Sequence, residues 1–340
     1  MKALPVAALL MLIAAPAGAA LTEGARLAAV YDAILDAQFD RVDTELSRVC
    51  PPAPSEACQA LAVESLWWRI LVNPESRALD DQFTALAARA IAASEAWTRR
   101  EPRRGEAWFY LAGSYGPLVQ WRVLRRQYVS AAREGKAIKA ALERALALDP
   151  TLDDAYFGIG VYHYYAGVAP ATFKMLRWLL LLPGGDRVAG LREMVQGRDR
   201  GQLLRGEADY QLHLAYLRYE GRPDLALAAL ERLDARYPGN PLFLQRIAEI
   251  RDRYLRDRQA SANAWRRLLD RARAGSVYNT HATEVRARLG LASALTAMNQ
   301  RDAAAEHLQL VIDMRPIDPI GALAEAEQRL RDIKTPTTAR

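Results

Sequence analysis

The sequence predicts an all-α chain built from antiparallel helix pairs, and three observations carry that prediction. Ala, Leu and Arg dominate the composition while Val, Ile and Thr are sparse. That mix favours helix, because Ala, Leu and Arg lose little freedom there. No stretch alternates apolar and polar residues with β-branched enrichment, whereas helical spacing recurs almost everywhere. Pro and Gly punctuate the pattern at intervals that suit short turns between helices. The 340 residues, 51% hydrophobic and 25% charged, suffice for a large core or two compact domains. A repeat array of this length is equally allowed, because it grows by stacking.

Residues 1–20, "MKALPVAALLMLIAAPAGAA", read as a secretory signal peptide. Lys2 gives one positive charge, Leu4 to Ala15 form an apolar centre, and Ala17 and Ala19 suit cleavage after Ala19 or Ala20. No cysteine follows the cut, which argues against a lipoprotein. The alternative is an uncleaved inner-membrane anchor, since the uncharged run from Ala3 to Leu21 approaches the roughly 20 residues of a spanning helix. Pro5, Pro16 and the small-residue end favour cleavage, so the expected location is the periplasm. The two cysteines, Cys50 and Cys58 in "CPPAPSEAC", agree with export. They are too few for a structural zinc site, and in an oxidising compartment they read as a disulfide. Closing so short a loop is worth about 2–3 kcal/mol.

The helix pairs repeat. In "ADYQLHLAYLRYEGRPDLALAALERLDARYPGN" a first helix runs from about Glu207 to Glu220 and a second from about Asp224 to Tyr237. Tyr210, Ala226, Leu230, Leu233 and Pro238 take the places of a large aromatic, a small residue, two packing residues and a closing proline. "AWFYLAGSYG" with "AIKAALERALALDP", "DAYFGIGVYHYYAG" and "AAAEHLQLVIDMRP" repeat the pattern, through Trp108, Leu111, Leu142, Ala145 and Pro150, then Tyr156 and Gly160, then Ala304, Leu308, Val311 and Pro316. Ala90, Trp97 and Pro102 fit more loosely, and residues 240–274 form a pair with poor landmarks.

These landmarks resemble those of the tetratricopeptide-repeat (TPR) superfamily over roughly residues 76–316. The resemblance implies a right-handed superhelical solenoid whose concave face comes from the first helix of each pair, and a protein-interaction scaffold without catalysis. The segment "FGIGVYHYYAG" followed by "LLLLPGGDRVAGL" is also similar to exported bacterial repeat proteins of unassigned role. A more distant likeness, through the apolar run and "PGGDR", is to the tetratricopeptide repeat protein 39 group.

Around the repeats, residues 21–75 read as an N-terminal helical cap: one amphipathic helix from Leu21 to Val49 and another from Ala57 to Val72, joined by the cysteine loop. Asp318, with Pro319 behind it, is expected to cap a last helix within 317–334, leaving 335–340 as a tail. Two insertions interrupt the repeats, an enlarged loop near 116–135 and an apolar stretch near 167–185. The latter holds a helix over 171–182, "ATFKMLRWLLLL", too short to span a roughly 30 Å hydrocarbon core. It can pack on the solenoid, form a partner surface or lie on a membrane.

In the groove frame the partner-facing positions are Glu106, Phe109 and Tyr110, then Asp154, Phe157, Val161, Tyr164 and Tyr165, then Gln211, Arg218 and Tyr219. The expected partner is a protein or peptide client. The alternative is a membrane-surface or apolar-ligand protein using Phe173, Lys174, Arg177 and Trp178 with the basic residues Arg122, Arg125 and Arg126. Residues 99–144 carry eleven basic against four acidic residues, which suits an anionic lipid or acidic partner, or a solvated helix face. An exported protein is not expected to meet nucleic acid. His163, His213, His281 and His307 stand in no short metal spacing, and no catalytic constellation, metal site or cofactor is expected.

Overall fold

A computed structural model describes residues 21–168 and 184–335. Among these residues there are fifteen helices and no strand. They are α1 (Gly24–Leu35), α2 (Phe39–Val49), α3 (Ser55–Val72), α4 (Asp80–Arg100), α5 (Gly105–Leu124), α6 (Tyr128–Leu148), α7 (Asp153–Val168) and α8 (Arg187–Arg200). The series continues with α9 (Arg205–Arg218), α10 (Pro223–Arg236), α11 (Pro241–Arg253), α12 (Arg258–Arg273), α13 (Thr280–Ala297), α14 (Arg301–Met314) and α15 (Ala322–Lys334).

Each helix packs chiefly on its sequence neighbours, which makes the array a solenoid of antiparallel helix pairs. Local chemistry sets the boundaries. Asp186 accepts the N–H groups of Val188 and Ala189 and so starts α8. Asn240 caps α11 ahead of Pro241, where the missing proline N–H costs no helical bond. In the α9/α10 pair, Tyr210, Ala226, Leu230 and Leu233 are buried, the small alanine letting the two helices approach. The seam between α7 and α8 is closer still. A Cβ on Gly190 would stand 2.5 Å from the Tyr164 nitrogen, and one on Gly160 would stand 2.7 Å from the Gly190 oxygen.

Three sequence expectations change. The span 21–49 is two helices, turned at Asp36 and Ala37, where Ala37 takes a φ of 55°. Neither Pro nor Gly marks that break. It is held by tertiary bonds, since Asn240 Nδ2 donates to the Leu35 carbonyl and the Gly239 N–H donates to Asp36. The extra residues near 116–135 form no enlarged loop. They lengthen α5 and α6, and Pro117 sits inside α5. The last helix begins at Ala322, with Gly321 before it at φ 83°. Asp318 does not cap it but accepts hydrogen bonds from Asn73 and Asn279. The insertion near 167–185 lies mostly outside the described residues.

The disulfide Cys50–Cys58 ties the end of α2 to α3. From there α3 reaches well beyond its own pair. Trp68 is fully buried, with its ring 4.9 Å from Tyr210 of α9 and 5.8 Å from Phe243 of α11. Arg286 of α13 donates to the Val72 carbonyl and to Asn73. In α1, Asp32 accepts from Tyr237 and Arg236. The solenoid thus curls until its first helices meet the inner helices of its later pairs. No described helix is long and apolar enough to cross a membrane.

Candidate functional site

That curl leaves a cleft of about 970 Å3 among α1, α3, α5, α6, α7, α9 and α11. Its walls are mostly apolar, with Trp67 and Leu71 on one side and Phe109, Phe157 and Tyr165 on others. Three glycines hold it open. Gly113 and Gly116 of α5 and Gly135 of α6 line the cleft, and a Cβ on any of them would meet nothing within 4 Å.

The mouth is apolar and basic. Val123, Tyr128, Tyr219 and Tyr254 line it and are each 44–51% exposed. Arg126, Arg218 and Arg253 also line it. None of these three arginines joins the ion pairs found among the described residues.

Deeper in, Glu64 of α3 and Glu207 of α9 are both buried. Glu207 accepts from Tyr31 Oη at 3.4 Å and from Gln211 Nε2 at 3.0 Å. Gln211 also donates to Gln120. Burial, and next the repulsion of Glu207, push the Glu64 carboxyl well above its usual range. Burial raises Glu207 as well. His213, on the same wall, is pushed down to about 3 by burial and so stays neutral.

The structure brings many of the sequence-predicted groove residues to this cleft. Phe109, Phe157, Val161 and Tyr165 line it, as do Gln211, Arg218 and Tyr219. Asp154 also reaches it, but its carboxylate accepts the N–H groups of Gln202, Leu203 and Leu204, which fixes the turn into α9. Three positions lie elsewhere. Glu106 accepts from Thr22 and Arg104. Tyr110 is buried and stacks on Trp97. Tyr164 is buried where α7 meets α8 and the end of α9, with its hydroxyl on the Ala215 carbonyl and on Glu220 at 2.6 Å. The expected groove placement of Tyr110 and Tyr164 is therefore corrected: each ring fills a gap between helices.

The basic patch is also rearranged. Arg125 is 8% exposed and bonds bidentately to Asp80 while donating to the Pro74 and Ser76 carbonyls. Arg122 pairs with Glu134 and lies over the Trp121 ring. Arg126 alone of the three reaches the mouth. Phe173, Lys174, Arg177 and Trp178 lie outside the described residues. His163 bonds Glu193 of α8 at 2.7 Å. No metal-holding cluster of His, Cys, Asp or Glu exists among the described residues.

Sequence reasoning missed Glu64, Glu207, Trp67, Tyr31 and the three open glycines. An acidic residue within an apolar helix, as in "AVESLWW", is the signal that could have flagged Glu64.

No protein-family model matches the sequence, and no curated protein matches it. Among solved structures the chain is similar to YrrB, described as a TPR protein with an unusual peptide-binding site. That match has 16% identity, covers 69% of this chain and 98% of the other, and has a TM-score of 0.42. It is also similar to the APC/C hetero-tetramer Cut9–Hcn1, at 13% identity over 86% of this chain and 46% of that one, with a TM-score of 0.46.

Proposed function

We propose that this protein is an exported, non-catalytic scaffold that docks a partner polypeptide in the concave cleft. The docked segment is apolar and carries acidic residues beside its apolar anchors. One observation carries the reading. Of the ten exposed large hydrophobic residues among the described residues, four line the mouth of this one cleft, and exposed apolar surface gathered at a concave site marks interaction. Because the apolar surface continues from the walls onto the mouth, a polypeptide lying across the opening fits better than a small molecule buried within. The unpaired arginines supply complementary charge for carboxylates. Export is supported by the disulfide, which suits an oxidising compartment.

The membrane-surface alternative loses support from Arg125, whose guanidinium is committed to Asp80 and two carbonyls.

The test places a photocrosslinking residue at Tyr219 or Tyr254, with Val188 and Ile317 as exposed controls away from the cleft. The reading expects a discrete polypeptide adduct from the mouth positions only. Sequencing of the adduct should show an apolar segment with acidic flanks. A Gly113→Leu background, which fills the cleft, should abolish it. Equal labelling from the controls, or labelling indifferent to Gly113→Leu, would overturn the reading.

A further inference from the structure

Antiparallel pairs put their turns at two edges of the solenoid, and the two edges differ. The turns that enter the first helices, at 101–104, 149–152, 201–204, 237–240 and 274–279, carry none of the exposed large hydrophobic residues. The turns that leave α5, α9 and α11 carry six of the ten found among the described residues. Val123, Tyr128 and Val129 flank the first turn, Tyr219 opens the second, and Tyr254 and Leu255 open the third. All three turns border the cleft mouth. Val129, Leu255 and Arg256 carry the same surface beyond the cleft lining. Arg126, Arg218, Arg253 and Arg256 are exposed on this edge and join no ion pair among the described residues.

We infer that this edge seats on an anionic bilayer surface, with the turn tips at the headgroups and the cleft opening towards them. The inference goes beyond the docking reading above and does not depend on it. A rim of turn tips forms no groove of its own, and a plane meets all three turns at once. Tyr128, Tyr219 and Tyr254 each join an apolar ring to a hydroxyl, the pairing that suits a membrane–water interface. Val123, Val129 and Leu255 supply apolar area, and the four arginines supply attraction to anionic lipid. Arg122 and Arg125 take no part, being spent on Glu134 and Asp80. Acids of these turns are engaged as well. Glu220 accepts from Tyr164 and Arg187, Asp224 pairs with Arg222, and Asp257 caps α12. An acidic polypeptide held in the cleft would satisfy arginines at the mouth but leave Val129 and Leu255 in water.

The experiment measures co-sedimentation of the exported, oxidised chain with vesicles of phosphatidylcholine containing phosphatidylglycerol, and with phosphatidylcholine alone. Residues 171–182 are the same in every variant. The inference expects binding to the anionic vesicles. It should weaken as salt rises from about 0.1 M to about 1 M, which shortens the screening length from about 10 Å to about 3 Å. Arg126→Ala with Arg253→Ala should weaken it about 25-fold, at about fivefold for each arginine near an anionic surface. Arg103→Ala with Arg273→Ala removes the same charge from the other edge, where both residues are exposed, and should bind as the unaltered chain does. Val129→Ser with Leu255→Ser keeps every charge and should also weaken binding. Gly113→Leu fills the cleft and should leave vesicle binding intact, which separates this test from that of the docking reading.

Equal losses from the two arginine pairs would overturn the inference, because binding would then follow net charge alone. Unchanged vesicle binding in Val129→Ser/Leu255→Ser, with poly-glutamate competing against the vesicles, would overturn it in favour of an acidic polypeptide. Absence of binding to anionic vesicles would overturn it outright while leaving the docked polypeptide untouched.

Discussion

In the α7/α8 pair, three glycines bring two backbones together. Gly160 and Gly190 meet face to face, and a Cβ on Gly197 would stand 2.4 Å from the Phe157 Cβ. In the preceding α5/α6 pair, three glycines leave space, since nothing lies within 4 Å of where a Cβ would be at Gly113, Gly116 or Gly135. The residue type is the same and the consequence is opposite. What decides is the opposing element. Gly160 faces another small residue on the next helix, whereas Gly113 faces the interior of a superhelix that has curled around an opening. Adjacent pairs are thus built for different ends, one as a sealed hinge of the fold and one as the wall of a site.

The contrast can be attacked at several points. The largest effect is expected at Arg125, which fastens the cleft-forming α5 to α4 through Asp80. Removing one partner of a buried ion pair costs about 3–5 kcal/mol, so Arg125→Ala should lower the denaturant midpoint sharply. Its neighbour Arg126→Ala should leave stability within about 0.5 kcal/mol, as for an ordinary surface change, while weakening the partner. Equal losses at both positions would show that the geometry of the patch is wrong.

Gly190→Ala comes next. Its Cβ would meet backbone atoms of α7, so the helices must part, at a cost of about 1–3 kcal/mol for overpacking. Urea unfolding measures this, and an unchanged midpoint would deny that the seam is sealed.

The acids at the cleft give a pH-dependent effect. A carboxyl with a raised pKa in the folded state binds more protons there than in the unfolded chain. The pair's stability contribution therefore falls as pH rises from the ordinary carboxylate range through the raised value. Each unit of elevation corresponds to about 1.4 kcal/mol. Glu64→Gln should raise the unfolding midpoint at pH 8 and lose most of that gain near pH 4. A gain independent of pH would place its origin outside the ionisation of Glu64.

The smallest effect is expected at Gly135. With open space beside it and a helical backbone, Gly135→Ala should stabilise by about 0.5–1 kcal/mol through helix propensity. Destabilisation there would mean that the opening is narrower than described.

Much of the architecture was legible in the sequence because repeats announce themselves locally. Tyr210, Ala226, Leu230 and Leu233 carry their packing role in their spacing alone. Aromatics of the first helices, such as Phe157 and Tyr165, could be placed towards the concave side for the same reason. The break at Ala37 could not be read, because the bonds that hold it come from Gly239 and Asn240, some two hundred residues away. The role of Arg125 was hidden likewise, since its partners on and before α4 lie about 45–51 residues upstream. Spacing also could not separate Tyr164, spent on the seam, from Tyr165, which reaches the cleft. The two differ by about 100° around one helix, and only the packing of α8 and α9 distinguishes them.

The placement of Trp68 against Tyr210 and Phe243 has a consequence for how the chain unfolds. In an open repeat array each unit touches only its neighbours, so terminal units can fray or be deleted and the remainder persists. Here α3 touches the α9/α10 and α11/α12 pairs, and the α3–α4 connection bonds α13 through Arg286. Opening either end therefore exposes the middle. The molecule should melt as one cooperative unit, fold more slowly than its helical content suggests because the closing contacts span the chain, and lose its cleft whenever either terminus is cut away.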